Sequence, residues 1–330
     1  MASDAQMTAV TIPRFGDAGV LAARQLPVPR PGPGQVSVDV AYAGANFAEV
    51  LYRQGLVDVP LPFVPGIEVA GTIRAVGPGV TGLTAGQPAA ALTIVDSGGY
   101  AEVAVTAADL VAPLDGQGPG LEVAAGLPSN STTAFLVLDL VARLQAGERV
   151  LVHAAAGGVG SQLGQVARLL GAGQVTGTVG SPAKISAAAS FGYDEVILRS
   201  DLAGAGQFDV VVDMVGGPAR RASLDHLAPM GRLVVMGNAS GADDVGLPAT
   251  ELWLTNKTVS GFNLAAFAAA FPARAGQALR RAVAAAARGD LRVQVETLPL
   301  ARAAEAHRRI ESGASTGKLV LQVAAGVPAA

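Results

Sequence analysis

The strongest chemical signal in the chain lies at residues 150–160, VLVHAAAGGVG. An apolar run, a cluster of glycines and the helical pattern SQLGQVARLLG follow one another without a break. Glycines at such a place let the backbone turn tightly and approach a pyrophosphate. The following helix presents unpaired N–H groups and the positive end of its dipole. Gly158-Val159-Gly160 fills the first two glycine places of a G-x-G-x-x-G fingerprint, while Leu163 stands in the third and Gly164 comes one step late. Ala156, Gly157, Gly158, Val159 and Gly160 are the candidate pyrophosphate contacts.

A dinucleotide fold selective for NAD places an acid about 20 residues further on, at the end of its second strand. Here the chain reads Gly177-Thr178-Val179-Gly180-Ser181-Pro182-Ala183-Lys184, with no Asp or Glu. A carboxylate there would repel a ribose 2′-phosphate, so its absence points to NADPH. Gly177, Ser181 and Lys184, with Arg199 past the next strand, are the candidate contacts. A second reading stays open: Ser181-Pro182 also suits a helix cap with proline at the first helical position, and Lys184 a solvated surface charge.

Composition narrows the chemistry further. Half of the 330 residues are hydrophobic and 15% are charged, enough for a large core and two domains. Mean hydropathy is +0.42, yet Pro, Gly or charge interrupts every apolar run well before a spanning length of about 20 residues. No membrane association is expected. The first ten residues lack the basic-then-apolar pattern of a secretory signal, and a cytoplasmic location is expected. Net charge is −3 with mixed signs, so nucleic acid is a poor partner. There is no cysteine, and His153, His226 and His307 stand far apart, so no metal site is expected.

The elements that must position these residues change character along the chain. The first 125 residues are rich in Val, Gly and Pro, with strand patterns at 35–43, 66–76, 86–95 and 99–105. From about residue 126 strands and helices alternate. Helices are predicted at 131–144, 160–170 and 182–191, and strands at 149–153, 174–179, 195–198, 208–214 and 232–236. This is an α/β pattern that implies a doubly wound parallel sheet. An Ala-rich helix over 265–288, a strand at 293–298, a helix at 301–312 and a strand at 318–323 follow, then a loose tail at 324–330. The last segments resemble the first in character. Residues 1–125 and 265–330 are therefore expected to form one domain, with 126–264 inserted as the cofactor domain.

Together, VLVHAAAGGVG, QVARLLGA and GTVGSPAK resemble the cofactor motif of the zinc-independent quinone oxidoreductases, the zeta-crystallin-like group of the medium-chain dehydrogenase/reductase superfamily. Further segments agree in family order: GANFAEVLYRQG at 44–55, LPFVPGIEVAGTIRAVG at 61–77, DMVGG at 213–217, MGNASG at 236–241 and GKLVL at 317–321. The resemblance covers nearly the whole chain. It implies a GroES-like, mainly-β catalytic domain, a Rossmann cofactor domain and a homodimer. Zinc-dependent relatives carry a His before the Glu of the G-x-E segment, where this chain has Ile67 before Glu68. Many relatives carry a Tyr where this chain has Arg199, a change that keeps the attraction for phosphate.

Carried over by position, Asn46 would sit beside nicotinamide and substrate carbonyl and donate its amide to a developing oxyanion; an Asx-turn role is the alternative. Tyr52 would line the pocket and donate a proton or hydrogen bond, with packing as the alternative. Arg53, Phe262 and Asn263 would wall the substrate cleft. Thr133, Gly237, Asn238 and Lys318 would contact the cofactor. Glu68 and Asp213 read as structural, and His153 as a core histidine. The implied activity is metal-free hydride transfer from NADPH to a quinone or similar electron-poor acceptor. The alternatives are reduction of an enoyl or α,β-unsaturated carbonyl substrate, as in secondary metabolism, and a non-catalytic NADPH-binding protein.

Overall fold

The computed structural model describes residues 5–323 other than 115 and 117; the tail expected to be loose at 324–330 lies outside them. The chain forms two compact units, Met1–Thr132 with Leu264–Ala330, and Thr133–Asn263.

The first unit is built on a seven-stranded sheet. Its centre is Gln35–Ala45, where period-two alternation sends Val36, Val38 and Val40 into the core and leaves Asp39 exposed. Glu68–Val76 and Val103–Ala107 both pair antiparallel with it. The C-terminal strand Lys318–Gln322 also joins it antiparallel, with Leu319 opposite Ala45, and Val295–Pro299 lies parallel beyond. A separate hairpin, Gln6–Thr11 with Ala22–Pro27, was not legible in the sequence pattern. The helix Phe47–Gln54 follows the central strand and stops at Gly55, whose φ of 75° is the left-handed cap favoured by glycine.

The second unit is a six-stranded, all-parallel sheet. Its spatial order is Glu195–Leu198, Gln174–Val179, Arg149–Val152, Phe208–Asp213, Leu227–Val235 and Thr258–Gly261. Counted along this unit the order is 3-2-1-4-5-6, the doubly wound order, with its switch point between Arg149–Val152 and Phe208–Asp213. Val150, Leu151, Val152, Val210, Val211 and Val212 are fully buried, as strands covered on both faces must be.

Two helices differ from the expectation. The segment predicted as one helix over 131–144 is α-helical over Pro128–Phe135 and widens to π geometry over Leu136–Val141. The Ala-rich helix predicted over 265–288 is two, Leu264–Ala270 and Pro272–Ala287. Pro272 has no N–H for the preceding turn and therefore opens a new helix at its first position.

Gly276, inside that second helix, lies against the backbone of the 3₁₀ turn Ala108–Leu110: a Cβ at Gly276 would stand 1.7 Å from the Asp109 carbonyl oxygen. Helix propensity favours alanine by about 1 kcal/mol, while forcing the two backbones apart costs about 1–3 kcal/mol. Gly276→Ala is therefore expected to lower the denaturant midpoint, against the direction that helix propensity gives.

Candidate active site

At the switch point the chain leaves Val152, passes Ala154 at φ 54° and enters the helix Gly158–Leu169 with Gly157 as its N-cap. No side chain caps this helix end, which leaves the anion-binding arrangement of backbone donors in place. A Cβ on Gly160 would stand 2.2 Å from the Ala154 carbonyl oxygen, so the turn closes only over glycine. Leu163, in the third fingerprint place, is wholly buried. Gly164 takes over the close-packing role, since a Cβ there would meet the Phe191 carbonyl oxygen at 2.3 Å. Gly177 corrects an expectation. It is buried within its strand, where a Cβ would press on Ala155 at 2.6 Å and on the Tyr193 ring, so it packs the turn instead of facing a ligand.

Beside the turn, at the carboxyl ends of the neighbouring strands, lies a cavity of about 500 Å³ lined by Gly180, Pro182, Leu198, Arg199, Ser200, Pro218, Ala219 and Ala222. Arg199 is its charged wall. The buried Arg199 Nε has no hydrogen-bond partner among the described residues. Burial lowers its guanidinium below the ordinary value, and Asp213 opposes this through space. Ser181, the residue before a 3₁₀ turn that opens with Pro182, makes no capping bond through its side chain. Ser181 and Lys184 are both half-buried next to this lining, and burial lowers the Lys184 ammonium too. An uncommitted guanidinium donor beside a glycine-lined helix N-terminus fits a dinucleotide carrying an extra phosphate.

His153 is a core residue here. Ser223 Oγ donates to the Ala219 carbonyl at 2.8 Å, so it accepts from His153 Nε2–H at 2.9 Å, and Nδ1 then accepts from Thr178 Oγ at 2.8 Å. Burial drives its pKa down to about 4 and keeps the ring neutral. Asp213 Oδ1 accepts the N–H groups of Val215 and Gly216 at 2.8 and 3.0 Å. Asn238 is exposed, donates to the Ala242 carbonyl at 2.8 Å and accepts from Ser240 Oγ at 3.1 Å. Gly237 precedes it, also exposed. Half-buried Phe262 and exposed Asn263 follow the edge strand Thr258–Gly261, and Thr133 is buried in the helix Pro128–Phe135.

The first unit gathers a second constellation. Asn46 caps the helix Phe47–Gln54, and Glu49 accepts its N–H at 2.8 Å and that of Ile67 at 3.1 Å. Asn46 Nδ2 donates to Glu68 Oε1 at 2.8 Å, with Glu49 Oε1 a longer contact at 3.4 Å. Lys318 Nζ donates to Asn46 Oδ1 at 2.5 Å and forms an ion pair with Glu68. Glu68 Oε2 accepts the Ser129 N–H at 2.7 Å. A Cβ at Gly44 would fall 2.3 Å from Glu68 Oε1, so the glycine of the GAN segment makes room for this carboxylate. Burial pushes Glu49 up to about 7, with Lys318 pulling the other way.

Three expectations change on this geometry. The amide hydrogens of Asn46 are directed inward to carboxylates, because the ammonium takes its carbonyl oxygen, so Asn46 does not present an oxyanion donor. Lys318 is 2% exposed and spends its charge on Glu68 and Asn46, which makes it a core cation and not a cofactor contact. Arg53 is wholly buried. It donates to the Gly16 carbonyl, donates Nε to His307 Nδ1 at 3.4 Å and pairs Nη2 with Glu311 at 2.6 Å, so it ties helices together and walls no cleft. Tyr52 lies edge-on to Phe63 with ring centroids 5.7 Å apart, and burial pushes its hydroxyl up to about 12. Sequence reasoning missed Glu49, although Asn46-x-x-Glu49 is a capping-box spacing. It also missed Arg220, which no local pattern marks.

Among the described residues no group of three His, Cys, Asp or Glu could hold a metal ion, and no helix is long and apolar enough to cross a membrane. Residues 32–116 match the family model "Alcohol dehydrogenase GroES-like domain", and residues 191–321 match "Zinc-binding dehydrogenase". The chain is 34% identical to a quinone oxidoreductase of Pseudomonas aeruginosa over 93% of its own length and 97% of that protein's. It is 38% identical to the spectinabilin polyketide synthase system protein NorB of Streptomyces orinoci, over 88% of this chain and 13% of that much longer protein. Its fold superposes on the Escherichia coli quinone oxidoreductase crystallised with NADPH at a TM-score of 0.85 and 29% identity, covering 96% of this chain and all of that one. The glycine turn at the switch point of the parallel sheet, the strand-rich first unit and likeness along nearly the full length agree: this chain belongs to the zeta-crystallin-like quinone oxidoreductases of the medium-chain dehydrogenase/reductase superfamily.

Proposed function

We propose that the protein is an NADPH-dependent reductase that passes a hydride to a quinone or a similar electron-poor acceptor without a metal. The observation that carries this reading is the buried, unpartnered Arg199 Nε in a cavity beside the glycine turn, in a family whose Escherichia coli member was crystallised with NADPH. Bound NADPH supplies the hydride. The Ala156–Gly160 turn holds the pyrophosphate on the helix N-terminus, and Arg199, Ser181 and Lys184 read the 2′-phosphate. Gly237, Asn238, Thr133, Phe262 and Asn263 are assigned to the nicotinamide and substrate surroundings. Reduction of a quinone consumes one proton besides the hydride. Tyr52, whose hydroxyl stays protonated at neutral pH, is the acid assigned to it.

A second reading, hydride transfer to an enoyl thioester, draws on the similarity to the polyketide synthase protein. Hydride addition to the β-carbon leaves an enolate that a proton donor must quench, a heavier demand on Tyr52 than a quinone makes. Oxidation of NADPH by the metal-free protein, with a small quinone and an enoyl thioester assayed in parallel, separates the two. Turnover of quinone that survives a chelator supports the first reading, and turnover of the thioester alone establishes the second. NADPH binding without turnover of either makes this a non-catalytic binding protein.

The cofactor assignment has its own test. Charge-assisted bonds to phosphate contribute about 1.5–3 kcal/mol each. Lys184→Ala combined with Arg199→Ala is thus expected to weaken NADPH binding on the order of a hundredfold to a thousandfold, with NADH binding nearly unchanged in titration. Equal loss of both would remove these residues from phosphate reading.

We also infer a cytoplasmic homodimer joined through the second unit. Its edge strand Thr258–Gly261 has the exposed Met230, Trp253 and Leu254 on neighbouring segments, at 72%, 76% and 67% exposure. A sheet edge beside apolar side chains is a template for pairing with a second copy. Light scattering at micromolar concentration is expected to give twice the chain mass, and Trp253→Asp to lower it toward the monomer.

A further inference from the structure

We propose that Arg220 is a positioning residue that fixes the two loops at the nicotinamide end of the cofactor site, and so governs how that half of the dinucleotide is held. This rests on the reading above that NADPH binds at these strand ends. In a doubly wound sheet each half takes one mononucleotide. The half containing Gln174–Val179 and Glu195–Leu198 ends at Ser181, Lys184 and Arg199, the phosphate readers, so it takes the adenine nucleotide. The half containing Phe208–Asp213 and Leu227–Val235 is left for nicotinamide, and its strands lead into Met214–Gly217 and Met236–Gly241.

Arg220 is the common partner of these loops. It is 5% exposed, on the helix Pro218–Asp225. Its Nε donates to Asp213 Oδ2 at 3.0 Å, its Nη2 to the Gly237 carbonyl at 2.7 Å, and its Nη1 to Asp244. The other oxygen of Asp213 accepts Val215 and Gly216 N–H, so one carboxylate shapes the first loop while one guanidinium carries that shape to the second. The loops are zipped together: Ala239 N donates to the Met214 carbonyl at 3.0 Å and Ser240 N to that of Val215 at 2.9 Å. At Gly216, φ 76°, a Cβ would stand 2.2 Å from Asn238 Oδ1. The position of Asn238 therefore depends on the first loop as closely as on its own. A lysine cannot reproduce three divergent donors in one plane.

The partners of the guanidinium differ in exposure. Asp244 is 79% exposed in its side chain, whereas Asp213 is wholly buried.

Adenosine 2′,5′-bisphosphate carries the adenine half of NADPH and no nicotinamide, so it separates the two halves. In Arg220→Lys, NADPH affinity is expected to fall about tenfold, the equivalent of ~1.4 kcal/mol. The bisphosphate should bind as it does to the parent. The fluorescence change of NADPH on binding, which reports the nicotinamide alone, should shrink. Asp244→Asn, at the surface and harmless to folding, should shift the same two readouts in the same direction by a few-fold. Equal weakening of both ligands in either variant would make Arg220 a general fold contact and overturn the proposal. So would NADPH binding and fluorescence that match the parent in both variants. A parent that binds neither ligand overturns the cofactor reading, and this inference with it.

Discussion

The first unit depends on a buried ammonium held between one carboxylate and one amide oxygen. Lys318 opens the last strand of the sheet and is buried against Glu68 and Asn46. Leaving either member of such a pair alone at that depth costs about 3–5 kcal/mol, so the last strand must return to the sheet in the register that brings Lys318 to Glu68. That register sets Leu319 opposite Ala45. Asn46, the next residue of the chain, is then held by its side chain as the helix cap. Glu68 is held in turn by Ser129 N–H and by the space that Gly44 leaves. The cluster around this ion pair thereby joins Asn46, Glu68, Ser129 and Lys318, and holds the start of the helix carrying Tyr52.

The same cluster has a chemical consequence. Two carboxylates face one ammonium, and the balance is uneven. Glu68 has the direct contact with Lys318, while Glu49 receives backbone N–H groups and is pushed up to about 7 by burial. Near neutral pH Glu49 passes between its two forms one helical turn before Tyr52, whose hydroxyl its charge pushes further up. A charged Glu49 thus makes Tyr52 a weaker acid than a neutral one does, although burial is the larger cause of the Tyr52 shift.

Periodicity and turn chemistry carried most of the fold. The parallel sheet, its glycine turn and the strand-rich first part could be read because buried strands are continuous apolar runs and helices end on glycine. Two features could not be read that way. The break at Pro272 was hidden by alanines on both sides that favour helix. The opening hairpin, with its exposed Ala22–Pro27 strand, has little apolar alternation. Within the site, residue type said that Asn46, Arg53 and Lys318 are polar and stand in recognisable segments. It could not say which way they face. Their partners, Glu68, His307 and Glu311, lie from 22 to more than 250 residues away, and such pairings follow from sheet register and helix packing, not from local pattern. The place of Arg199, directly after the strand Glu195–Leu198, was legible because the strand pattern reveals where a strand ends.

In the second unit the decisive point is how Asp213 distributes its charge. Both of its oxygens are committed, one to Arg220 and the other to the backbone of the following loop. Arg199 feels this carboxylate only through space and gains no contact from it. The Arg199 side chain is half-buried, and its buried Nε has no hydrogen-bond partner among the described residues. On the proposed reading, a phosphate would complete this donor. The two arginines thus divide one acid. Arg220 bonds it directly, and Arg199 meets it only through space.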